Sequence, residues 1–322
     1  MRNILYVALA VSLATICGAT QAQSYPTKPI RLIVPFAPGG TSEVLGRIIA
    51  QKMSEHLGQQ IVVDTRPGAS GGLGTTLTAN ATPDGYTLLF TSLSPIVINV
   101  SVQKGKLPYD PEKDLAPISV ITKVPSVFAV QADFPHRTVK DLIAFAKANP
   151  GKLSYGSSGT GSVNHLIVEL FKSAAGIEML HVPFKGAGQG LIALRSKEIN
   201  MISAAPPAVL PHIRSGVFRA IAVSSATRSP ALPDTPSISE SGILGFDVSA
   251  WYCLMGPAGI PRPIIDKVRS TLVKTITTAP VSEHLIAQGA APAPTTPEEL
   301  AKLINGDLKR WAKAVEVAGL KR

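Results

Sequence analysis

Short β-branched runs alternate with amphipathic stretches along most of this chain. Such a pattern buries its apolar faces best as strands of a mostly parallel sheet with helices on both sides. Ile30-Arg31-Leu32-Ile33-Val34 reads as a strand that ends at Pro35 and the loop Ala37-Pro38-Gly39-Gly40. Thr41 or Ser42 then caps a helix with Val44, Leu45, Ile48, Ile49, Met53 and Leu57 on one face, ended by Gly58. Ile61-Val62-Val63 is a second strand. A glycine-rich turn (Gly68, Gly71, Gly72, Gly74) leads into a short helix through Leu77 and Ala79, and Asp84-Gly85 turns the chain into the strand Tyr86-Thr87-Leu88-Leu89-Phe90.

A second set of units follows an extended stretch over 118–130. Thr138 caps a helix through Leu142, Ile143 and Phe145, ended by Asn149-Pro150-Gly151. The strand Leu153-Ser154-Tyr155 opens onto Gly156-Ser157-Ser158-Gly159-Thr160-Gly161-Ser162, and a helix follows through Leu166, Ile167, Leu170 and Phe171. Strands at 180–182, 199–202 and 218–223 alternate with helices at 190–195 and 207–213. Thr296-Pro297-Glu298-Glu299 is a strong helix start, with Gly319 placed to end that helix.

Before all this stands a segment of a different kind. Met1-Arg2-Asn3 is a basic start, residues 4–17 are apolar, and Gly18-Ala19-Thr20-Gln21-Ala22 offers small residues for cleavage after Ala22. Residues 1–22 therefore read as a signal peptide; lipidation at Cys17 is disfavoured by Ile16 at a position that normally needs a small residue. Cleavage removes one arginine and takes the formal charge from +10 to +9. Of the two cysteines only Cys253 then remains, which excludes a disulfide framework. Cys253 falls in a strand-like run and reads as a packed, inert thiol. Lys+Arg 31 against Asp+Glu 21 makes the chain basic, but no basic run interleaves with aromatics, so nucleic acid is not an expected partner.

Chemistry could sit in two glycine loops that share one design, strand then glycine- and hydroxyl-rich loop then helix: Pro38-Gly39-Gly40-Thr41-Ser42 and 156–162. The first backbone N–H groups of a helix lack internal partners and carry the positive end of its dipole. Glycine lets that backbone approach a ligand, so such a loop suits a carboxylate or phosphate without a lysine or arginine. Ordinary capping and turn formation use the same residues, and each loop alone leaves both readings open. Enzyme readings are weaker. Gly68-Ala69-Ser70-Gly71-Gly72 matches the G-x-S-x-G pattern of a serine hydrolase with Ser70 as nucleophile, yet Asp64-Thr65-Arg66-Pro67 separates it from its strand. The loop at 156–162 lacks the lysine of a phosphate loop. The six histidines (His56, His136, His165, His181, His212, His284) show no close metal-ligand spacing. His165, just inside the helix after the second loop, reads equally as an anion contact or as a satisfied structural residue.

Many motifs together resemble one family. Tyr25-Pro26-Thr27-Lys28-Pro29-Ile30, Val34-Pro35-Phe36-Ala37-Pro38-Gly39-Gly40, Arg66-Pro67-Gly68-Ala69, Asp84-Gly85-Tyr86-Thr87-Leu88 and Leu107-Pro108-Tyr109-Asp110 look like the Bug family of substrate-binding receptors of tripartite tricarboxylate transporters. The likeness continues in Tyr155-Gly156-Ser157-Ser158-Gly159, His181-Val182-Pro183-Phe184-Lys185-Gly186, Arg228-Ser229-Pro230-Ala231-Leu232-Pro233 and Gly256-Pro257-Ala258-Gly259. It spans about residues 25–320.

The resemblance implies an α/β, two-lobed periplasmic-binding-protein type II fold (a Venus flytrap), each lobe a mostly parallel sheet flanked by helices. Lobe one would hold residues 24–123 and 226–322 and lobe two 124–225, with hinges near 121–125 and 222–227. It implies a periplasmic, non-enzymatic, monomeric receptor without cofactor or metal, which captures a small organic carboxylate and delivers it to membrane permease subunits or to a sensor. The ligand-binding residues carried over are Gly39, Gly40, Thr41 and Ser42 in lobe one, and Ser157, Ser158, Gly159, Thr160 and Ser162 in lobe two. His165 joins them from the reading above, Lys185, Gly186 and Ala187 form a third wall, and Ser92 and Trp251 are expected to line the cleft. Relatives commonly carry an acidic residue where Asn200 and Ala204 stand. Ala204 on the cleft side predicts a less polar distal pocket, which disfavours an ammonium group and favours an apolar or aromatic body.

Overall fold

The computed structural model describes residues 25–36, 41–103, 105–184 and 186–320, apart from the side chain of Thr41. The expected signal peptide, Cys17, Gly39, Gly40 and Lys185 lie outside the described residues. The chain first runs β1 (Ile30–Val34), α1 (Thr41–Leu57), β2 (Ile61–Thr65), α2 (Gly72–Ala79), β3 (Thr87–Ser92), α3 (Asn99–Val102) and β4 (Leu115–Pro125). It continues with β5 (Val127–Gln131), α4 (Val139–Ala148), β6 (Ser154–Ser157), α5 (Val163–Ala175), β7 (Leu180–Pro183), α6 (Ala187–Arg195), β8 (Met201–Ala204), α7 (Pro206–Arg214) and β9 (Phe218–Val223). Last come β10 (Ser249–Pro257), α8 (Arg262–Thr277), α9 (Ala279–Ala287), β11 (Ala291–Pro292) and α10 (Pro297–Val317).

Two sheets result, a six-stranded one in the order β11-β4-β10-β3-β1-β2 and a five-stranded one in the order β7-β6-β8-β5-β9. The two-sheet α/β architecture matches expectation, but both sheets are mixed rather than mostly parallel. β1 pairs in parallel with β2 and β3, whereas β10 runs antiparallel to both β3 and β4. In the second sheet β6 is parallel to β7 and β8, and β5 is antiparallel to β8 and β9. The reason lies in the junction between the sheets. β5 and β10 have just come from the other sheet, so each runs away from the junction, while their partners β3, β4, β8 and β9 run towards it.

The expected single extended stretch over 118–130 is two strands, because the chain changes sheet at Ser126. Ser126 N–H donates to Ser224 Oγ (2.8 Å) and Ser224 N–H to the Ser126 carbonyl (2.9 Å), tying the outward crossing to the end of β9. Residues after β9, expected in the first lobe from 226 on, first hydrogen-bond to the second sheet. Val223 N–H donates to the Pro236 carbonyl and Ile238 N–H to the Val223 carbonyl before β10 re-enters the first sheet. The backbone groups of the strand end are satisfied there, as buried backbone requires.

One apolar cluster runs on the α10 side of both sheets and includes Trp251, Trp311, Phe128 and Phe171. Ile30, Leu32, Phe90 and Leu254 pack under α1 and α8 on the other face of the first sheet, and Val127, Ile202 and Val209 on the other face of the second. Capping boxes start α4 (Thr138 with Asp141) and α10 (Thr296 with Glu299) as their sequences require, each worth about 1 kcal/mol. Cys253 is buried, and burial pushes its thiol pKa up.

Candidate functional site

Strand direction decides where the loops fall. Ser92, the last residue of β3, pairs with Tyr252, three residues along β10 from Ser249, which itself pairs with Pro125 at the crossing. β1 and β2 run parallel to β3, so the loops after all three strands lie at the edge of the first sheet that faces the junction. In the second sheet Ala204 pairs with Val127, the first residue past the crossing, and β6 and β7 run parallel to β8. The loops after β6, β7 and β8 therefore line the facing edge of the second sheet. Ligands of open α/β sheets settle at such carboxyl-terminal edges.

At the first edge the chain passes through Pro35 and Phe36 to α1. The glycine-rich turn closes this edge by tight packing: a Cβ on Gly74 would stand 2.8 Å from Pro35 Cβ and 3.0 Å from its Cα. The Ser42 side chain is hydrogen-bonded to the Tyr252 phenol, whose pKa burial pushes up and Ser42 pulls partly back. Ser92 faces the same side from the paired register position. Trp251 does not line this edge, contrary to expectation. Strand alternation turns it to the opposite face, where it is 1% exposed and its indole Nε1 donates to Asp307 Oδ2 (2.7 Å) beneath α10. Tyr252, one residue on, is the aromatic on the side of Ser42 and Ser92.

At the second edge β6 ends in Ser157, and Ser162 caps α5 by accepting from His165 N–H (3.2 Å). Gly159 (φ 121°) and Gly161 (φ 78°) hold backbone conformations that L-residues rarely adopt, and both turn their N–H groups inward, to Ser157 Oγ and His165 Nδ1. Ser158 and Thr160 remain partly or fully exposed there. Gly186 and Ala187 lie at the same edge, at the start of α6, and are half-buried.

Two residues expected as ligand contacts are committed elsewhere. Ser157 is buried, with its Oγ 2.7 Å from His181 Nε2 and 3.2 Å from Gly159 N. His165 is 4% exposed and turns inward, stacked on His181 at 3.8 Å, with Nδ1 accepting from Gly161 N–H (3.1 Å). Burial, then His181, hold its pKa down at about 4, against the opposing pull of Glu169. Beneath the pair Tyr155 donates to Glu169 Oε1 (2.5 Å), and Lys172 neutralises that carboxylate at 2.9 Å. These groups prop the loop from below, while Ser158 and Thr160 stay at its surface.

Ala204 also requires correction. Its side chain packs with Val127, Ile202 and Val209 inside the second sheet's apolar cluster, so the expectation of a less polar distal pocket has no footing in that residue. Asn200 is likewise engaged, its Oδ1 accepting from Ser154 N–H (2.8 Å). Ser70 stands in an exposed 3-10 turn at φ 53° and ψ 38°. Among the described residues no imidazole or carboxylate is hydrogen-bonded to its hydroxyl. Four residues that sequence reasoning missed shape the site: Tyr252, His181, Asn164 and Ser126. His181 stood in a motif already in view, but the others carry no local signal, because only strand register and the sheet crossing bring them in.

A family model, TctC, the tripartite tricarboxylate transporter family receptor, matches residues 45–320. BugT of Bordetella pertussis is 35% identical over 321 residues, covering 99% of this chain and 98% of that protein. A solved Rhodopseudomonas palustris protein with adipate is 34% identical with a TM-score of 0.78, covering 92% of this chain and 98% of that one. MatC from the same organism, with bound malate, is 30% identical with a TM-score of 0.73, covering 90% and 100%. With a model match over most of its length and relatives at this level of identity, the chain belongs to the TctC family of tripartite tricarboxylate transporter receptors.

Proposed function

We propose that this receptor captures a small organic carboxylate between its two sheets and presents the loaded form to the permease of a tripartite transporter. The observation that carries the reading is the convergence of strand ends. The loops after β1, β2 and β3 face those after β6, β7 and β8 across the junction, and one of them opens α5 at its electropositive end. A helix start capped by Ser162 and flanked by Gly159 and Gly161 recognises negative charge through amides, which fits a chain whose described cleft-edge loops bring hydroxyls and glycines. The relatives that hold adipate and malate carry the same chemistry, a carboxylate on a short carbon body.

Gly39, Gly40, Thr41, Ser42 and Ser92 serve the first lobe in this reading, and Ser158, Gly159, Thr160, Gly186 and Ala187 the second, with Lys185 beside them. The lobes divide at Ser126 on the way out and between 224 and 249 on the way back. Residues 1–22 act as a signal peptide that delivers the receptor to the periplasm, where it works as a monomer without catalysis. Closure follows because a ligand that touches both lobes binds the closed state better than the open one.

A thermal-shift and calorimetry screen over mono-, di- and tricarboxylates and aromatic acids tests the proposal. An acid at about one hundred times its Kd should add about 2.7 kcal/mol of stability. If no acid in the panel moves the unfolding midpoint, carboxylate capture is wrong.

A further inference from the structure

Ser126, the single residue between β4 and β5, begins a chain of side-chain hydrogen bonds that ends at the second loop. Ser126 Oγ lies 2.6 Å from Ser203 Oγ and 3.0 Å from Asn164 Oδ1. Asn164, in the first turn of α5, brings its Nδ2 within 3.4 Å of Ser158 Oγ. Ser203 sits on β8 opposite Phe128, which puts it on the face of the sheet that α5 covers.

Proton counting sets the direction of this chain. Ser203 is 0% exposed, and among the described residues Ser126 is the one partner of its hydroxyl. A hydroxyl owns a single proton, and leaving it unused in the interior is costly. Ser203 therefore donates to Ser126. The Ser126 proton then goes to Asn164 Oδ1 at 3.0 Å, a better acceptor than the Ala204 carbonyl at 3.5 Å. With Oδ1 so engaged, the amide must turn Nδ2 to Ser158 and occupy a lone pair of that oxygen. The Ser158 proton is left to point out of the loop, where the residue is partly exposed.

We infer that Asn164, oriented by Ser126 and Ser203, is a positioning residue that presents Ser158 to the captured molecule as a hydrogen-bond donor. The second loop thereby selects a group that only accepts, such as a carboxylate oxygen, over an ammonium or a carboxamide NH2 at the same place. The inference rests on the proposed capture of an acid and refines it, because it names the group that chooses between an acceptor and a donor. Since Ser126 is also the crossing residue, the same hydrogen bonds tie that choice to the geometry of the junction.

Calorimetric titration of the full chain with adipate, malate and benzoate tests this, and the tightest-binding acid is carried into variants. Ser126→Ala frees the Asn164 amide to turn over and should weaken binding about tenfold, as should Ser158→Ala. The double variant should bind no more weakly than Ser158→Ala alone, and Ser126→Thr, which keeps the hydroxyl, should restore affinity. Asn164→Asp accepts from both serines and draws the Ser158 proton inward. It should cost more than tenfold in affinity without lowering the unfolding midpoint, because an acidic residue in a first helical turn is favourable. Losses that multiply in the double variant, or wild-type affinity in Asn164→Asp, overturn the positioning role. If the wild-type chain binds none of the acids, the capture reading fails and the positioning role falls with it; if wild type binds and the variants bind equally well, only the positioning role fails.

Discussion

Lowering the pH from 7 to 4 should destabilise this fold through His165, and replacing that one residue should remove most of the effect. The imidazole stacks on His181, its Nδ1 accepts from Gly161 N–H, and its Nε2 stands 3.8 Å from Glu169 Oε1. Tyr155, Ser157 and Lys172 complete its polar surroundings. Burial and the neighbouring His181 depress its pKa from 6.5 to about 4. An unfolded chain takes up this proton near pH 6.5 and the folded chain only near 4, so between those values the unfolded state binds more protons. Stability is therefore full above about pH 6.5 and is lost as pH falls towards 4. At 1.36 kcal/mol for each pH unit the gap of about 2.5 is worth about 3 kcal/mol, and partial solvent screening reduces this to about 2 kcal/mol. His181, whose pKa burial also lowers, adds to the effect with the same sign. Urea unfolding of wild type and His165→Asn at pH 7, 5.5 and 4.5 measures it, since asparagine offers an oxygen to Gly161 N–H but does not titrate in this range. Wild type should lose about 2 kcal/mol more than the variant. Identical pH slopes for the two proteins would refute the assignment of the proton to His165.

Two further substitutions separate core, junction and site. Trp251→Phe removes the indole donor from the buried Asp307 carboxylate, whose pKa burial already raises, and should cost about 2 kcal/mol in urea unfolding. It should leave acid affinity unchanged by calorimetry, because the ring lies on the face away from Ser42. Gly289→Ala places a methyl 2.3 Å from Pro206 Cβ, across the contact between α7 and the segment after α9, at a glycine with φ 71°. It should cost about 1–2 kcal/mol in backbone strain and, by holding the two sheets apart, also raise the radius of gyration in X-ray scattering and weaken acid binding. A loss of stability with unchanged scattering and affinity would show that this contact does not limit the approach of the lobes.

Much of the fold was legible because each unit announces itself locally. Thr138 and Thr296 capping their helices, glycines ending them, and β-branched runs marking β1 and β9 are signals within a few residues of one another. The glycine loops were legible for the same reason. What stayed hidden depended on sheet crossing. Ser126 interrupts an apolar stretch that otherwise reads as one strand, and no local propensity says that residues on its two sides belong to different sheets. The hydrogen bonds that hold 236–238 to Val223 join segments that sequence pattern treats as loop and strand end.

Side-chain facing was the other hidden quantity. Trp251 and Tyr252 are neighbours in a strand buried on both faces, where apolar alternation offers no phase, and the indole's partner Asp307 lies fifty-six positions away. His165 and Ser158 show the same problem at a helix start. A histidine three residues into α5 follows the loop closely enough to look like an anion contact, but the turn of the helix carries its ring back beneath the loop onto His181. Ser158 instead stays at the surface of the loop. In the proposed capture of an acid, the loop needs its titratable groups kept neutral and out of reach, since a protonated imidazole beneath it would give up the Nδ1 that holds Gly161. The buried pair, the depressed His165 pKa and the direction of the Ser203-Ser126-Asn164 chain thus serve one physical end, a rigid loop of fixed donor polarity at the electropositive start of α5.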